Sequence, residues 1–193
     1  SCGTERREGM REILMSIRPQ WCEKIFNGSK TIEVRKSRPS IPTPFKVYVY
    51  ETKGKTKYWS QPMPIPYTEG RGKVIGSFVC DKVYKIVPDG EYYSNGYDID
   101  DDMLSETCLG RGYLTGYGLG YTLYGWHITE PKLFDEPKEF YELYAPCKKN
   151  KQTADESCKG CAYAYKGVTT GKIYCDNART RPPQSWCYVE DKW

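Results

Sequence analysis

Four cysteines late in the chain have residue types and spacing that suit a metal site. Cys147, Cys158, Cys161 and Cys175 follow the pattern C-x10-C-x2-C-x13-C. The two thiolates of the C-x2-C pair can take adjacent corners of a tetrahedron around Zn²⁺. The surrounding segment is polar and has little core of its own, so a bound metal would supply its folding free energy. We therefore predict a structural zinc site, in which the long first spacing makes Cys147 the least typical ligand.

Reduced thiols in a loop are the alternative to zinc in this segment. Catalytic zinc is disfavoured, because four cysteine ligands close the coordination sphere. The single histidine of the chain, His127, also lies well upstream of the cysteines. Alternating residues predict a small hairpin between the second and third ligand groups, formed by Tyr163, Tyr165, Ile173 and Tyr174.

The segment KTIEVR, which begins at Lys30, is the second candidate for chemistry. Its alternation predicts a strand with Ile32 and Val34 on one face and Glu33 and Arg35 on the other. The charged residues have two interpretations. They are either a solvated ion network, which stabilises a protein by only ~0–1 kcal/mol, or the lining of a ligand cleft.

Length and composition limit the classes of protein that can carry these residues. A chain of 193 residues fits one domain, or one domain with an insert. With 38% hydrophobic and 28% charged residues it is expected to be globular rather than disordered. No stretch approaches the ~18 continuous apolar residues of a transmembrane helix. The N-terminus lacks the apolar segment that is typical of a secretory signal. We therefore expect a cytoplasmic location, and no disulfide framework.

Charge is distributed unevenly along the chain, although the net charge is only +4. Residues 1–87 contain 17 Lys and Arg against 8 Asp and Glu, a balance of +9. Residues 88–106 contain seven acidic residues and no basic ones. The N-terminal half therefore offers a basic surface to a polyanion such as nucleic acid, beside an acidic loop. Ordinary solvated surface is the alternative.

Short strands and few helices dominate the pattern of predicted elements. This favours a mainly β or α+β fold, built on a small barrel. A helix is expected from Pro19 to Asn27, because proline suits a first turn and Asn-Gly a helix end. Strands are predicted at Arg11–Arg18, Lys30–Arg35, Phe45–Lys53, Lys73–Val87 with a bulge at Gly76, Leu123–Leu133 and Ser185–Glu190. A short helix is predicted within Met103–Thr115, and a helical turn within Pro137–Tyr144.

The N-terminal motifs resemble a known family. The strand at 13–18, the helix to Gly28 and the motif Gly28-x-Lys30-x-x-Glu33-x-Arg35 resemble the opening of the ASCH domain, within the PUA-like superfamily. The sequences GWHI from Gly125 and RPPQSWCYV from Arg181 resemble the tail of ASCH proteins from prophages. The resemblance covers about residues 10–145 and the last strand. It implies a PUA-like β-barrel with a helix after strand 1, from a phage, prophage or bacterium.

This resemblance also implies a domain organisation. The expected parts are an N-terminal tail or vector-derived remnant at 1–9, an ASCH or PUA-like domain at 10–146, a four-cysteine zinc-binding insert at 147–175 and a final strand that returns to the domain at 176–193.

The family further implies a barrel cleft that binds RNA or modified nucleobases, with the motif facing solvent. In such a cleft Glu33 can accept from an exocyclic amine, Arg35 can hold a phosphate or stack on a base, and Lys30 can reach an anion. Trp21, Trp126 and Trp186 are expected in the core. The aromatic residues expected at the rim of the cleft, where bases stack, are Tyr58, Trp59, Tyr113, Tyr117 and Tyr121.

An enzyme is the alternative to a binding module. One small ASCH enzyme hydrolyses the amide of N4-acetylcytidine with a Lys/Thr/Glu arrangement, the Thr lying three residues after the Lys. Here Lys30 is present, but Glu33 takes the place of that Thr, and Thr31 is not at the matching position. Water activated by Glu33, with Lys30 as electrostatic partner, is a variant that these residues permit. Metal-independent RNA cleavage by Lys30 and a Tyr, and protein interaction through the zinc insert, are further alternatives.

Four other features are expected to be structural. The glycine-rich stretch 110–120 does not match dinucleotide spacing and predicts a flexible loop near the cleft. Asp98–Asp102 lacks the later Glu of a calcium loop and predicts a solvated acidic loop. His127 is expected to be packed and hydrogen-bonded. The cysteines expected to act as small apolar residues are Cys22, Cys80, Cys108 and Cys187.

Overall fold

The computed structural model describes the greater part of the chain, and the following account concerns only that part. The described residues are 11–53, 70–90, 96–143, 156, 164–166, 170–175, 181–190 and 193. The elements are strand β1 (Arg11–Ile17), helix α1 (Pro19–Phe26), strands β2 (Ile32–Arg35), β3 (Phe45–Glu51) and β4 (Lys73–Ile86), helices α2 (Asp101–Thr107) and α3 (Arg111–Gly118), strand β5 (Leu123–Lys138), a 3₁₀ turn (Phe140–Leu143), and strands β6 (Ala164–Lys166), β7 (Ile173–Cys175) and β8 (Trp186–Glu190).

Six of the strands form one sheet in the order β2-β5-β4-β3-β1-β8. Strands β1 and β3 are parallel, and the other neighbours are antiparallel. The predicted α+β class and the helix after the first strand are confirmed. The predicted barrel is not closed by strand pairing, because β2 and β8 are the two edges of this sheet.

Side chains span the opening between the two edges. Arg35 of β2 donates from Nη2 to the Ser16 carbonyl of β1 at 2.8 Å. Trp186 of β8 donates from Nε1 to Ser37 Oγ, just beyond β2, at 3.0 Å. The sheet therefore curls until its edges face each other across a gap, which polar side chains bridge instead of a backbone ladder.

Helix α1 covers one face of this sheet. Pro19 occupies the first helical position, where its missing N–H removes no hydrogen bond, and Gly28, at φ 81°, follows the helix end as the Asn-Gly pair predicts. Cys22 and Ile25 are buried in the main hydrophobic cluster, together with Ile13. Strand β1 is buried on both faces, since Leu14 belongs to a second cluster behind the sheet.

The predicted bulge at Gly76 is confirmed in strand β4. The register between β4 and β5 shifts between Val74 and Gly76. A Cβ on Gly76 would collide with the carbonyl of Lys132 and lie 2.7 Å from Phe26 Cζ. Glycine is therefore required there by the close approach of a neighbouring strand and of helix α1.

The segment 96–121 differs from its sequence-based prediction. A single short helix followed by a flexible loop was expected, whereas two helices are found, separated by Cys108 at φ 56°. Asp100 caps α2 by accepting from the Met103 amide at 2.7 Å, which gives the acidic run a structural role. Leu114 is buried in a third cluster with Ile32, so the glycine-rich stretch is anchored against β2. Helix packing outweighed its low helix propensity.

The region after residue 143 is described only in short pieces. Strands β6 and β7 pair antiparallel, which is the hairpin that the sequence predicts. Cys147, Cys158 and Cys161 fall outside the described residues, so the boundaries of the cysteine insert stay a prediction. Among the described helices, none is both long enough and apolar enough to cross a membrane.

The packing of α1 leads to a stability prediction. Ile25→Ala removes a fully buried side chain from the main cluster and is expected to lower the free energy of unfolding by about 2–5 kcal/mol. Leu133→Ala, at a half-exposed position, is expected to change it by less than ~0.5 kcal/mol. Urea denaturation followed by circular dichroism measures both variants. Equal values for the two would contradict this packing.

Candidate functional site

A cleft of about 310 Å³ lies where the two sheet edges approach each other. Strand β2 forms its floor, helix α1 and the end of β1 form one side, and α3 forms another. The segment before β8 completes it. The polar and aromatic lining residues are Ser16, Arg18, Trp21, Lys30, Glu33, Arg35, Thr52, Tyr113, Tyr117, Gln184 and Ser185.

Lys30 is the most deeply buried charge of the cleft, with 1% of its surface exposed. Its Nζ donates to the Thr107 carbonyl at 2.5 Å and lies 3.3 Å from Glu33 Oε2. The same ammonium lies 5.2 Å from the centroid of the Trp21 ring. Three elements, α2, β2 and α1, therefore each provide one partner for this cation.

Glu33 joins Lys30 to Arg35. Its second oxygen, Oε1, lies 3.1 Å from Arg35 Nη2. That nitrogen also donates to the Ser16 carbonyl, and Arg35 Nη1 donates to Ser185 Oγ at 3.5 Å. Lys30, Glu33 and Arg35 thus form one chain of charges along the cleft floor, which we call the charged chain.

The charged chain corrects one expectation and resolves one alternative. The motif was expected to face solvent, but Glu33 and Arg35 are only 7% and 8% exposed. The ion network of the sequence interpretation exists, yet it is buried rather than solvated. Helices α2 and α3 cover strand β2, so both faces of its alternating pattern are enclosed. Arg35 Nε is also buried and has no hydrogen-bond partner within the described part of the chain.

Aromatic rings form one wall of the cleft. The rings of Trp21 and Tyr113 meet edge to face at 6.3 Å, and Tyr113 stacks on Tyr117 at 6.3 Å with 21° between the planes. The expected rim positions of Tyr113 and Tyr117 are therefore found at the cleft. Burial raises the pKa of the Tyr117 phenol, and the nearby positive charge of Arg35 lowers it by less.

The expectation that three tryptophans lie in the core holds only in part. Trp126 is fully buried, and Trp186 packs against it at 5.7 Å. Trp21 instead lies at the border, where it packs against the main cluster and lines the cleft. Only the tertiary approach of β2 and α3 decides that its outer side forms a wall of the cleft.

Two further residues singled out in the sequence, Tyr121 and His127, do not line the cleft. Tyr121 is 72% exposed and does not line it. His127 is part-exposed, and its Nδ1 lies 2.6 Å from Asp81 Oδ1, away from the cleft lining. Tyr58 and Trp59 fall outside the described residues.

The four cysteines expected to be small apolar residues do not all behave alike. Cys22, Cys80 and Cys187 are buried, as expected. Burial raises the pKa of the Cys22 thiol, and it raises that of Cys80 to about 12. Cys108 differs, because it is half-buried and donates from Sγ to the Ser29 carbonyl at 3.1 Å.

Five polar lining residues were not found by sequence reasoning: Ser16, Arg18, Thr52, Gln184 and Ser185. Ser16 is the penultimate residue of the core-forming strand β1, and Arg18 is the N-cap residue just before α1. Gln184 and Ser185 lie about 150 positions after β2 in sequence. The only signal in the sequence was the RPPQS segment, which contains Gln184 and Ser185. The family resemblance rests partly on this segment, but the sequence assigned its residues no role.

The predicted zinc site is represented in the described residues by Cys175 alone, in strand β7. Within those residues no three metal-binding side chains come together. The other three cysteines lie outside them, so the zinc site stays a prediction.

No family model and no curated protein matches the sequence. Solved structures do match the fold. A crystal structure of ASCH from Zymomonas mobilis is 14% identical, with a TM-score of 0.53 over 93% of this chain and 88% of that one. A serine-to-alanine variant of the same protein gives 14% identity and a TM-score of 0.54, over 95% and 91% of the two chains.

These likenesses establish the class of fold. The chain has the fold of an ASCH domain, with the incompletely closed sheet described above. The fold expected from the motif around Lys30 and from the tail is therefore confirmed, over most of the chain.

The charged chain leads to a prediction for Glu33. Glu33→Gln leaves buried Lys30 without its counter-charge, so the free energy of unfolding is expected to fall by about 3–5 kcal/mol. The double variant Glu33→Gln with Lys30→Met is expected to recover part of this loss, because no unpaired ammonium is left. Chemical denaturation of the two single variants and the double variant measures the coupling. Additive losses would contradict a direct interaction between the two side chains.

The cysteine spacing leads to a prediction about metal content. Purified protein is expected to carry about one zinc per chain, and Cys175→Ser is expected to lower that content. Cys108→Ser is the matched control, because Cys108 lies beside Ser29 and outside the predicted ligand set. Mass spectrometry of metal content, performed on protein freed of weakly bound ions, measures all three. Zinc-free wild-type protein that is fully folded would refute the site.

Proposed function

We propose that the cleft binds one nucleotide of RNA, or a modified nucleotide, and that this binding is the function of the domain. The observation that carries the proposal is the buried charged chain, which stands beside an aromatic wall in a cleft of nucleotide size. Ligand pockets combine apolar walls with a few convergent polar groups in this way, and typically measure ~300–1,000 Å³.

The electrostatics of the cleft favour an anion. Its described lining contains three cationic side chains, Arg18, Lys30 and Arg35, and one carboxylate, Glu33. A neutral ligand would leave this surplus positive charge without compensation in a partly enclosed space. A phosphate group would compensate it, and Arg18 is exposed at the rim where a phosphate can arrive.

The remaining groups suit a nucleobase. Glu33 already forms ion pairs with two cations, but its carboxylate oxygens have lone pairs left for an exocyclic amine. Trp21 and Tyr113 present aromatic surface on the adjacent wall, against which a base can pack. The cleft volume is comparable to that of one nucleotide, and proteins that read RNA by sequence commonly take unpaired bases into such sites.

Hydrolysis of a modified nucleotide, or of RNA, is the second candidate function. The specific observation in its favour is the separation of 3.3 Å between Lys30 Nζ and Glu33 Oε2 inside the cleft. A cation and a carboxylate placed so close can polarise a carbonyl or phosphoryl group and orient a water molecule.

Paired arginine variants test nucleotide binding. Arg18→Gln removes a charge at the cleft rim and is expected to weaken binding of nucleoside monophosphates and short RNAs about five- to tenfold. Arg38→Gln removes the same charge from an exposed position outside the cleft lining and is expected to leave affinity within about twofold. Isothermal titration calorimetry on a panel that includes N4-acetylcytidine and its monophosphate gives these values. Absence of binding across the panel by folded protein would contradict the proposal.

Mass spectrometry of the same mixtures separates binding from catalysis. Product that forms with wild-type protein and disappears with Lys30→Met would support the hydrolytic candidate. Binding without product would support a binding module. Thermal unfolding of Lys30→Met is needed alongside, because this substitution also removes a buried interaction with Glu33.

A further inference from the structure

A row of aromatic rings and ammonium groups runs from the floor of the cleft to the protein surface. Lys30 lies over the Trp21 ring, Trp21 meets Tyr113, and Tyr113 stacks on Tyr117. Lys36 completes the row, with its Nζ 5.0 Å from the centroid of the Tyr117 ring. We call these five residues the aromatic row. It places cations at both ends and three rings between them.

The outer half of the aromatic row, from Tyr113 through Tyr117 to Lys36, extends beyond the cleft. Tyr113 lines the cleft, yet 41% of its surface is exposed. Tyr117 is half-buried behind it, and Lys36 is exposed and does not line the cleft. A ligand confined to the cleft therefore leaves the outer side of Tyr113 and the Lys36 ammonium unused.

The surface of α3 next to Tyr113 is unusually bare. Gly112 and Gly116 lie one helical turn apart, and a Cβ added to either would meet no atom within 4 Å. Glycine is less favourable than alanine in a helix interior, so packing within the described part of the protein gives no reason for it here. Gly116 and Tyr113 are neighbours on the helix surface, at the i and i+3 positions. Bare backbone beside an exposed ring allows another chain to approach closely.

We propose that the outer half of the aromatic row is a second subsite, which binds the nucleotide adjacent to the one in the cleft. This inference rests on the proposed function. The base of the second nucleotide packs on the outer side of Tyr113, over the bare surface at Gly116. The phosphodiester that joins the two nucleotides lies near Lys36, whose compact ammonium suits a phosphate. The ligand is accordingly single-stranded RNA of at least two nucleotides.

The contacts favour a polynucleotide over a free nucleotide. A single nucleotide satisfies the charged chain and the inner wall, which are both inside the cleft. A ligand that carries a second base and a linking phosphate can use both the exposed side of Tyr113 and the Lys36 ammonium, which a single nucleotide in the cleft leaves unused. A base paired in a duplex cannot stack on Tyr113, because its faces are covered by neighbouring pairs.

The test compares ligand lengths in one series of titrations. Cytidine 5′-monophosphate, pCpC and pCpCpC, and the matching adenosine series, are titrated into the full chain by fluorescence competition, so that each ligand keeps its 5′-phosphate. The dinucleotide is expected to bind about tenfold more tightly than the mononucleotide, and the trinucleotide little better. Lys36→Gln is expected to reduce that ratio to about twofold, and to lower the salt dependence of dinucleotide binding by roughly 0.7 in log–log slope. Lys36→Arg is expected to restore most of the ratio.

Two further variants control this test. Arg38→Gln removes the same charge two residues further along the chain, and is expected to leave the ratio at its wild-type value. Gly116→Ala is expected to raise the melting temperature, because alanine stabilises an exposed helix, and yet to lower the dinucleotide ratio by obstructing close approach. A merely structural glycine would not produce opposite effects on stability and binding.

The outcomes separate the subsite from the function on which it rests. Tight mononucleotide binding with no gain for the dinucleotide would overturn the second subsite and leave the proposed function standing. A length-dependent gain that Lys36→Gln and Gly116→Ala leave unchanged would overturn the placement on α3. Failure of every ligand to bind folded protein would overturn both.

Discussion

A carboxylate buried between two cations is the interaction on which the rest of this structure depends. Charges removed from water must be paired and hydrogen-bonded, or the fold that contains them is unstable. Glu33 meets this requirement through Lys30 and Arg35, and the partners of those cations reach much further. Lys30 ties helix α2 to strand β2 through the Thr107 carbonyl, and Arg35 ties β2 to β1 through the Ser16 carbonyl. Three side chains therefore fix the relative positions of these elements.

The same interaction explains why the sheet can remain open. An unpaired strand edge is usually covered or charged, because its free backbone groups would otherwise recruit another strand. Here the gap between the edges β2 and β8 is bridged by Arg35 with Ser185 and by Trp186 with Ser37. These side-chain hydrogen bonds keep the two edges further apart than backbone hydrogen bonds between them would. The opening that results is the cleft, so the site is a consequence of incomplete closure rather than an addition to the fold.

The residues that we propose to bind the nucleotide are thus the same residues that stabilise the fold. The floor of the cleft is rigid and charged, because folding requires the charged chain. Its cations are therefore in place before an anionic ligand binds. The wall is made by α3, which hydrophobic residues such as Leu114 hold against β2. Its exposed face can therefore present Tyr113 and bare backbone without loss of anchoring. Under the proposed function, the floor would select the nucleotide in the cleft, and the wall would extend recognition to its neighbour.

Rules of short range were enough to predict the local elements and the residues that carry the motif. Proline at a first turn, Asn-Gly at a helix end and the alternation around Glu33 correctly predicted α1 and β2, and the sequence motifs also predicted the bulge at Gly76 and the ASCH fold. Long-range packing determined that the charged chain is buried, that the glycine-rich stretch is a helix and that Trp21 lines the cleft. It also brought Ser185 to within 3.5 Å of Arg35, from 150 positions away in sequence. These features depend on which distant surfaces meet in the folded protein. Burial between such surfaces overrides both local propensity and the usual exposure of charges. A short window of residues does not contain the information about which surfaces meet.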